Sequence, residues 1–261
     1  DGDWIDCGRP LSRHSIGLEG FTLKSGGLVL DCNPLEGRLK LDRSASIGET
    51  LELVSGEDAP LVAARILTGT AVGKTCPEMD LRVATTRGTN ALLEGKGEPV
   101  TLITNQGFES LLEIRDQRRP DLFELAPAPK FPVIKKVIGI PGRLDRENRE
   151  LEKLELNSLE SLGASNVALA LINADTAPNH EKMVAEELRH RGIEVSASHE
   201  LAPVIRFWPR SETAVANAYL TPVMGAFIRE LCKTLPETQL SLMTSAGQLK
   251  QADEFRPIDG L

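Results

Sequence analysis

Long apolar runs are missing from these 261 residues. No stretch of about 18 consecutive apolar side chains occurs, which excludes a membrane-spanning helix. A surplus of positive charge is missing too: 30 Lys and Arg stand against 38 Asp and Glu, for a formal net charge of −8. A nucleic-acid protein needs clustered Lys and Arg to neutralise phosphates, and an anionic membrane surface asks for the same. Cysteine is sparse. Cys7, Cys32, Cys76 and Cys232 are scattered with no C-x-x-C pair. They read as free thiols of a reducing cytoplasm rather than a disulfide framework or a metal site. Three chemistries lack their signatures: no G-x-x-x-x-G-K-[ST] phosphate loop, no H-E-x-x-H zinc spacing and no G-x-S-x-G nucleophile elbow is present. The chain opens Asp1-Gly2-Asp3-Trp4 and closes on Phe255-Arg256-Pro257-Ile258-Asp259-Gly260-Leu261. Neither end reads as a terminus, so the expectation is an internal piece of a longer protein.

What is present is an ordinary globular composition, 41% hydrophobic and 26% charged, on a chain long enough to build a core without staples. Residues 1 to 60 read as β-rich. Phe21-Thr22-Leu23 and Leu28-Val29-Leu30 flank Ser25-Gly26-Gly27, a hairpin signature. Leu39-Lys40-Leu41 and Leu51-Glu52-Leu53 alternate with period two. Asp58 and Pro60 open a helix through Ala63, Ala64 and Ile66. Strands are expected at Leu81–Thr85, Val100–Thr104, Val167–Ile172 and Ile193–Ala197, with helices at Asn90–Glu94 and from Pro178 to Gly192. These make two βαβ units and imply parallel pairing. Arg115 to Lys136, rich in Pro and Arg, reads as a loop. Gly142 to Asn148 reads as a polar hairpin tip. A long helix follows Ser211 and ends near Thr234, with Pro222 inside it. Leu240–Thr244 reads as one more strand.

In open α/β sheets, ligands bind beyond the carboxyl ends of the strands. Those ends deliver Thr85, Thr86, Arg87, Thr89 and Asn90; then Thr104, Asn105 and Gln106; then Asn173 and Asp175; then Ser198, His199 and Glu200. With all four strands in one sheet, these side chains share one rim. Thr86, Thr89, Asn105 and Asp175 are equally suited to capping helices. Arg115, Arg118 and Arg119 form a basic cluster whose guanidinium groups can grip a carboxylate or pair across a surface.

Four stretches carry a family resemblance. Ala84-Thr85-Thr86-Arg87-Gly88-Thr89-Asn90-Ala91-Leu92-Leu93-Glu94 resembles G-T-T-x-x-T-N-A-L-L-E. Gln117-Arg118-Arg119-Pro120-Asp121-Leu122-Phe123 resembles Q-x-R-P-D-L-F. Pro178-Asn179-His180-Glu181 resembles P-x-H-E at a helix start. Ser198 to Met224, with Arg206, Arg210 and Asn217-Ala218-Tyr219-Leu220, resembles a segment ending N-A-Y-L-x-P-V-M. Together they resemble the A-type subunit or domain of the hydantoinase/oxoprolinase family over roughly residues 80 to 247.

The resemblance implies an α/β fold related to actin-like ATPases, with parallel or mixed sheets, βαβ units and an added β-rich N-terminal segment. It divides the chain into 1–60, an N-terminal-type region at 61–210, and the start of the following domain at 211–261. It implies ATP-dependent opening of hydantoin or 5-oxoproline rings through a phosphorylated lactam, with ATP and Mg²⁺ in the full-length enzyme. A B-type subunit or domain is the implied partner, with neither nucleic acid nor membrane. Thr85, Thr86, Thr89 and Asn90 are the expected catalytic positions. Arg119, with Asp121 orienting it, would hold a substrate carboxylate, and Arg210 and Asn217 would line the cleft or its domain contact. No metal ligand is expected. The family's N-terminal D-x-G-G-T-F-T-D loop is absent, Thr244-Ser245-Ala246-Gly247 stands where relatives have Gly-Gly, and Asn173 where they often have His. The fragment alone is therefore expected to be inactive. A subunit of acetone- or acetophenone-type carboxylases and a non-catalytic assembly domain remain alternatives.

Overall fold

The computed structural model describes residues 3–11, 17–114, 133–159 and 162–260. The chain forms two compact units. Unit 1 comprises Asp1–Ala84, Phe227–Met243 and Gln248–Glu254; unit 2 comprises Thr85–Ala226, Thr244–Gly247 and Phe255–Leu261. This division by contact is distinct from the linear one at 60/61 and 210/211, because the chain leaves each unit and re-enters it.

Unit 1 holds β1 (Asp3–Asp6), β2 (Thr22–Leu23), β3 (Val29–Asn33), β4 (Arg38–Leu41), β5 (Leu53–Val54), α1 (Ala59–Thr68) and β6 (Met79–Val83). Strands β1, β4 and β3 form an antiparallel sheet, and β2 pairs with β5. The Ser25-Gly26-Gly27 turn forms, with Leu23 N–H donating to Gly27 O at 2.9 Å. Its two arms are joined by a Thr22–Leu28 bridge and by Val29, whose N–H donates to Phe21 O at 2.8 Å and whose carbonyl accepts from Gly20 N–H at 2.9 Å. Leu18, Phe21, Leu23, Val29, Leu39 and Leu41 close a small apolar core, with Val62 and Ile66 of α1 packed on it. Pro60 sits in the first turn of α1, and Gly69 ends the helix in the left-handed region at φ 67°, where glycine alone pays no Cβ penalty.

Unit 2 begins with α2 (Arg87–Leu93), β7 (Val100–Asn105), α3 (Leu111–Ile114) and β8 (Ile134–Ile140). A hairpin of β9 (Arg143–Leu144) and β10 (Glu150–Glu152) follows. Then come β11 (Asn166–Leu169), α4 (Asn179–His190), β12 (Glu194–Ala197) and α5 (Ser198–Leu201). Helix α6 (Phe207–Thr234) contains Pro222. Its residues up to Ala226 belong to unit 2. The last strands, β13 (Thr238–Met243) and β14 (Leu249–Gln251), return to unit 1.

The sheet of unit 2 is parallel, in the order β12-β11-β7-β8. It is covered on both faces, as the unbroken apolar run of β11 requires. Val167 and Leu169 face a core with Val184, Ala185 and Leu188 of α4. Ala168 and Ala170 face the other, with Ala214, Val215 and Ala218 of α6. The β11–α4–β12 unit matches expectation.

Two expectations are corrected. Strand β6 does not join this sheet; it pairs in parallel with β13, Leu81 opposite Leu240, in a sheet ordered β14-β13-β6. The expected β6–α2–β7 unit is therefore not a paired βαβ unit, and one common rim for all four strand ends does not form. Its partner strand lies more than 150 residues further along the chain, beyond the reach of local periodicity. The fourth strand of the parallel sheet is instead β8, which begins at Ile134 within the stretch read as loop. Exposed Lys135 and Lys136 belong to this edge strand, a common way of blunting an open edge.

Candidate functional site

Three groups of polar residues make up the site region of unit 2. The first is the corner at 85–90. Thr86 is the N-cap of the seven-residue α2. Thr85 Oγ1 accepts from Arg87 N–H at 3.1 Å, and Asn90 Nδ2 donates to Thr86 Oγ1 at 3.4 Å. Thr86, Thr89 and Asn90 are exposed and Thr85 is half-buried. Helix α2 lies against the turn Pro257–Gly260. Asn217 also holds that turn, its Oδ1 accepting from Ile258 N–H at 3.0 Å while its Nδ2 donates to Ser196 Oγ at 2.9 Å. The structure thus joins two of the expected regions, the Thr/Asn corner and Asn217, through one shared turn.

The second group lies at the carboxyl ends of β11 and β12. Glu181, the third residue of α4, is fully buried. Its position in the first turn suits a carboxylate, because unpaired N–H groups face it there. It accepts from Leu171 N–H at 2.7 Å, from His199 N–H at 2.8 Å and from His199 Nδ1–H at 2.9 Å. Ser198 Oγ–H also donates to it, at 2.9 Å. Ser198 Oγ in turn accepts from Arg210 Nε at 2.9 Å. Arg210 is itself completely buried. Its remaining donors reach Leu171 O and, at 3.3 Å, Asp175 Oδ1. Each of the three Arg210 nitrogens thus donates to a protein partner, and the side chain acts from inside as a strut between the end of β11, α5 and α6. His199 Nε2 lies 3.9 Å from Glu200 Oε1. Glu200 is held by Arg189 through contacts of 2.8 and 2.7 Å, and that hydrogen-bonded guanidinium keeps its carboxyl below the usual carboxylate range.

The third group is the β9–β10 hairpin. Asn105 Nδ2 donates to Gly142 O, and Asn173 Nδ2 donates to Leu144 O at 2.9 Å. His180 Nε2 meets Glu150 Oε1 at 3.2 Å. Arg146 Nη2 lies 3.5 Å from Asp175 Oδ2. The Arg143 guanidinium sits 5.4 Å from the centroid of the Phe108 ring, within cation–π range.

Arg115, Arg118, Arg119 and Asp121 lie outside the described residues, so the carboxylate-binding expectation has no geometry here. A cavity of about 320 Å³ opens at the opposite, amino end of β7, β8 and β11, lined by Lys135, Lys136 and Asn166 among others. None of the expected site residues lines it. Among the described residues, no group of three or more His, Cys, Asp or Glu side chains could hold a metal ion. The corner does not form a nucleotide cradle either. Arg87 N–H is taken by Thr85 Oγ1 and Asn90 N–H by Thr86 O. The residues present therefore do not fit ATP and Mg²⁺ by themselves.

Sequence reasoning passed over Glu181 as a site residue. Its signal was the P-x-H-E stretch directly after a buried strand, which fixes a carboxylate at a helix start beyond a sheet's carboxyl end. Burial is what makes it a hub, and burial is not written in four residues.

Comparison with known proteins now bears on this geometry. Residues 40–192 match the family model described as the hydantoinase/oxoprolinase N-terminal region. The chain belongs to the hydantoinase/oxoprolinase family. A 5-oxoprolinase of Dictyostelium discoideum is 32% identical over 213 residues, covering 67% of this chain and 17% of that protein. In fold, the chain is similar to the crystal structure of an ATP-dependent caprolactamase from Pseudomonas jessenii. The TM-score is 0.62 at 22% identity, over 95% of this chain and 38% of that one. It is also similar to a nucleotide-free acetone carboxylase structure, with TM-score 0.51 at 17% identity, over 78% of this chain and 31% of that one. The chain thus spans less than a quarter of the oxoprolinase relative's length. Among the described residues, no helix is long and apolar enough to cross a membrane.

Proposed function

We propose that this chain forms part of an enzyme that opens a cyclic amide of the hydantoin or 5-oxoproline class, driven by ATP. An unstrained lactam resists water. ATP, when bound, would supply the phosphoryl group that activates the lactam oxygen toward attack by water. In this reading ATP and Mg²⁺ are held by segments beyond these residues, between two phosphate loops. A B-type subunit or domain is the partner and the setting is cytoplasmic. The observation that carries the reading is the open Thr/Asn corner. It presents Thr86, Thr89 and Asn90 to solvent at the place where the family motif falls.

Thr85, Thr86, Thr89 and Asn90 position the substrate or its phosphorylated form through hydroxyl and amide groups. Arg119, oriented by Asp121, holds a substrate carboxylate. Arg210 and Asn217 fix the frame behind them. In the full-length protein, Thr86→Ala lowers substrate-dependent ATP hydrolysis by about tenfold or more. Near-normal turnover removes Thr86 from the site. The fold likeness to acetone carboxylase keeps a second reading in play, a carboxylase subunit. ATP turnover that requires bicarbonate and a ketone, and ignores lactams, favours that reading. A parent chain without phosphate loops favours a non-catalytic assembly domain.

A further inference from the structure

The strand order of unit 2 fixes where a ligand crevice belongs. From β7 the chain crosses to β8 on one side; from β11 it crosses to β12 on the other. The crevice between the carboxyl ends of β7 and β11 is the point where the connections diverge, and open α/β sheets receive ligands there. In this structure the crevice is closed by side chains and by the β9–β10 hairpin. Asn105, at the end of β7, bridges the gap, its Oδ1 accepting from Ile172 N–H at 2.7 Å. Its Nδ2 and that of Asn173 then both donate to backbone carbonyls of the hairpin.

Three features distinguish the hairpin from an ordinary structural element. Among the described residues it pairs with no other strand. Its outer strand, Glu150–Glu152, is exposed along its length. Its further anchors are the Arg146–Asp175 ion pair, the Glu150–His180 hydrogen bond and the Arg143–Phe108 contact, with Leu144 as a buried apolar peg. The ground beneath it also carries unmet polar demand. His180 Nδ1 is buried with no hydrogen-bond partner among the described residues. Buried groups in that state are costly, so they persist where something else can satisfy them.

We propose that the β9–β10 hairpin is a strap occupying the ligand crevice between β7 and β11. Its Gly142 and Leu144 carbonyls stand where Asn105 and Asn173 receive the amide carbonyl of a cyclic-amide ligand. A peptide carbonyl and a lactam carbonyl are the same acceptor, so displacement exchanges like for like. The inference rests on the cyclic-amide reading above and names a second contact point for that substrate class, apart from the corner at 85–90.

The test uses the full-length protein, 2-pyrrolidinone as the lactam probe, and amide hydrogen exchange of residues 143–152 read by mass spectrometry. The double variant Arg146→Gln/Glu150→Gln removes two exposed tethers. It speeds hairpin exchange and lowers the lactam concentration for half-effect, each by about fivefold, because less of the strap must be displaced. Asn173→Asp keeps a residue tolerant of the positive φ at that site, 61°, but replaces the amide donor by an acceptor. It frees the strap while raising the lactam half-effect by about tenfold. A merely structural role for Asn173 moves the exchange and leaves the lactam response unchanged, and that result overturns the proposal. So does hairpin exchange indifferent to lactam while lactam-stimulated ATP hydrolysis persists; in that case the cyclic-amide reading stands. Absence of any lactam-stimulated turnover overturns that reading and this one together.

Discussion

Among the described residues, each unit buries one arginine, and the two are used in opposite ways. In unit 1, Arg65 gives its guanidinium to Glu57 and to the carbonyls of Ala71 and Lys74. All three partners lie within nine residues, so the bond set staples one end of α1 to its own loop. In unit 2, Arg210 reaches Ser198, Asp175 and Leu171, which lie 12, 35 and 39 residues away in sequence. It gathers the carboxyl ends of separate strands. Local pairing stabilises an element. Convergence of distant polar groups at one end of a parallel sheet ties separate elements together, as Arg210 does in unit 2.

Substitutions sharpen the contrast. Glu181→Ala should be the most damaging, because four donors lose their acceptor inside the protein. We expect a loss of about 4 kcal/mol in denaturant unfolding, as for other broken buried charge networks. Arg210→Met should follow at about 3 kcal/mol, since Asp175 keeps only the exposed Arg146 as a cationic neighbour. Arg65→Met in unit 1 should cost about 2 kcal/mol. Its partner Glu57 keeps some solvent access, 17% of its side chain, and can rehydrate. If Arg65→Met proves as costly as Glu181→Ala, the distinction between staple and convergence fails.

A smaller effect tests the rim by pH. The Glu200 carboxyl is held low by Arg189. A depressed folded-state value adds stability that is present above the unfolded carboxylate value of about 4.3 and disappears as pH falls through the folded one. Glu200→Gln should therefore flatten the acid side of the stability curve by less than about 1 kcal/mol, given its solvent access. An unchanged acid limb contradicts the assignment. The smallest test lies in unit 1, where burial and nearby carboxylates push the Cys32 thiol up to about 11. Iodoacetamide at pH 8 should label exposed Cys232 well before Cys32; equal rates would show that Cys32 is not so shielded.

Much of unit 2 was legible in sequence. The run Val167–Leu171, Pro178 before a helix and Gly192 after it specify β11, α4 and β12 by local rules. Strand β8 was not legible, because Pro and Arg precede it and two lysines decorate its open edge. The partner of β6 was hidden by distance along the chain. Motif position proposes the corner at 85–90 and Asn217 as site residues, and the structure sets both against the turn at 257–260. Glu181 and the hairpin's grip on Asn105 and Asn173 were not legible, since both depend on which groups end up buried together. The motif leads one to expect Arg210 in the cleft or its domain contact; it is fully buried and braces the strand ends from inside.

The most direct measurement compares lactam-stimulated ATP hydrolysis by the full-length protein carrying Thr86→Ala and Asn90→Ala in unit 2 with that carrying Thr22→Ala and Thr70→Ala in unit 1. The account predicts a loss of about tenfold or more for the first pair and little change for the second. Equal activity in both, or a matching loss from the unit 1 pair, would contradict it.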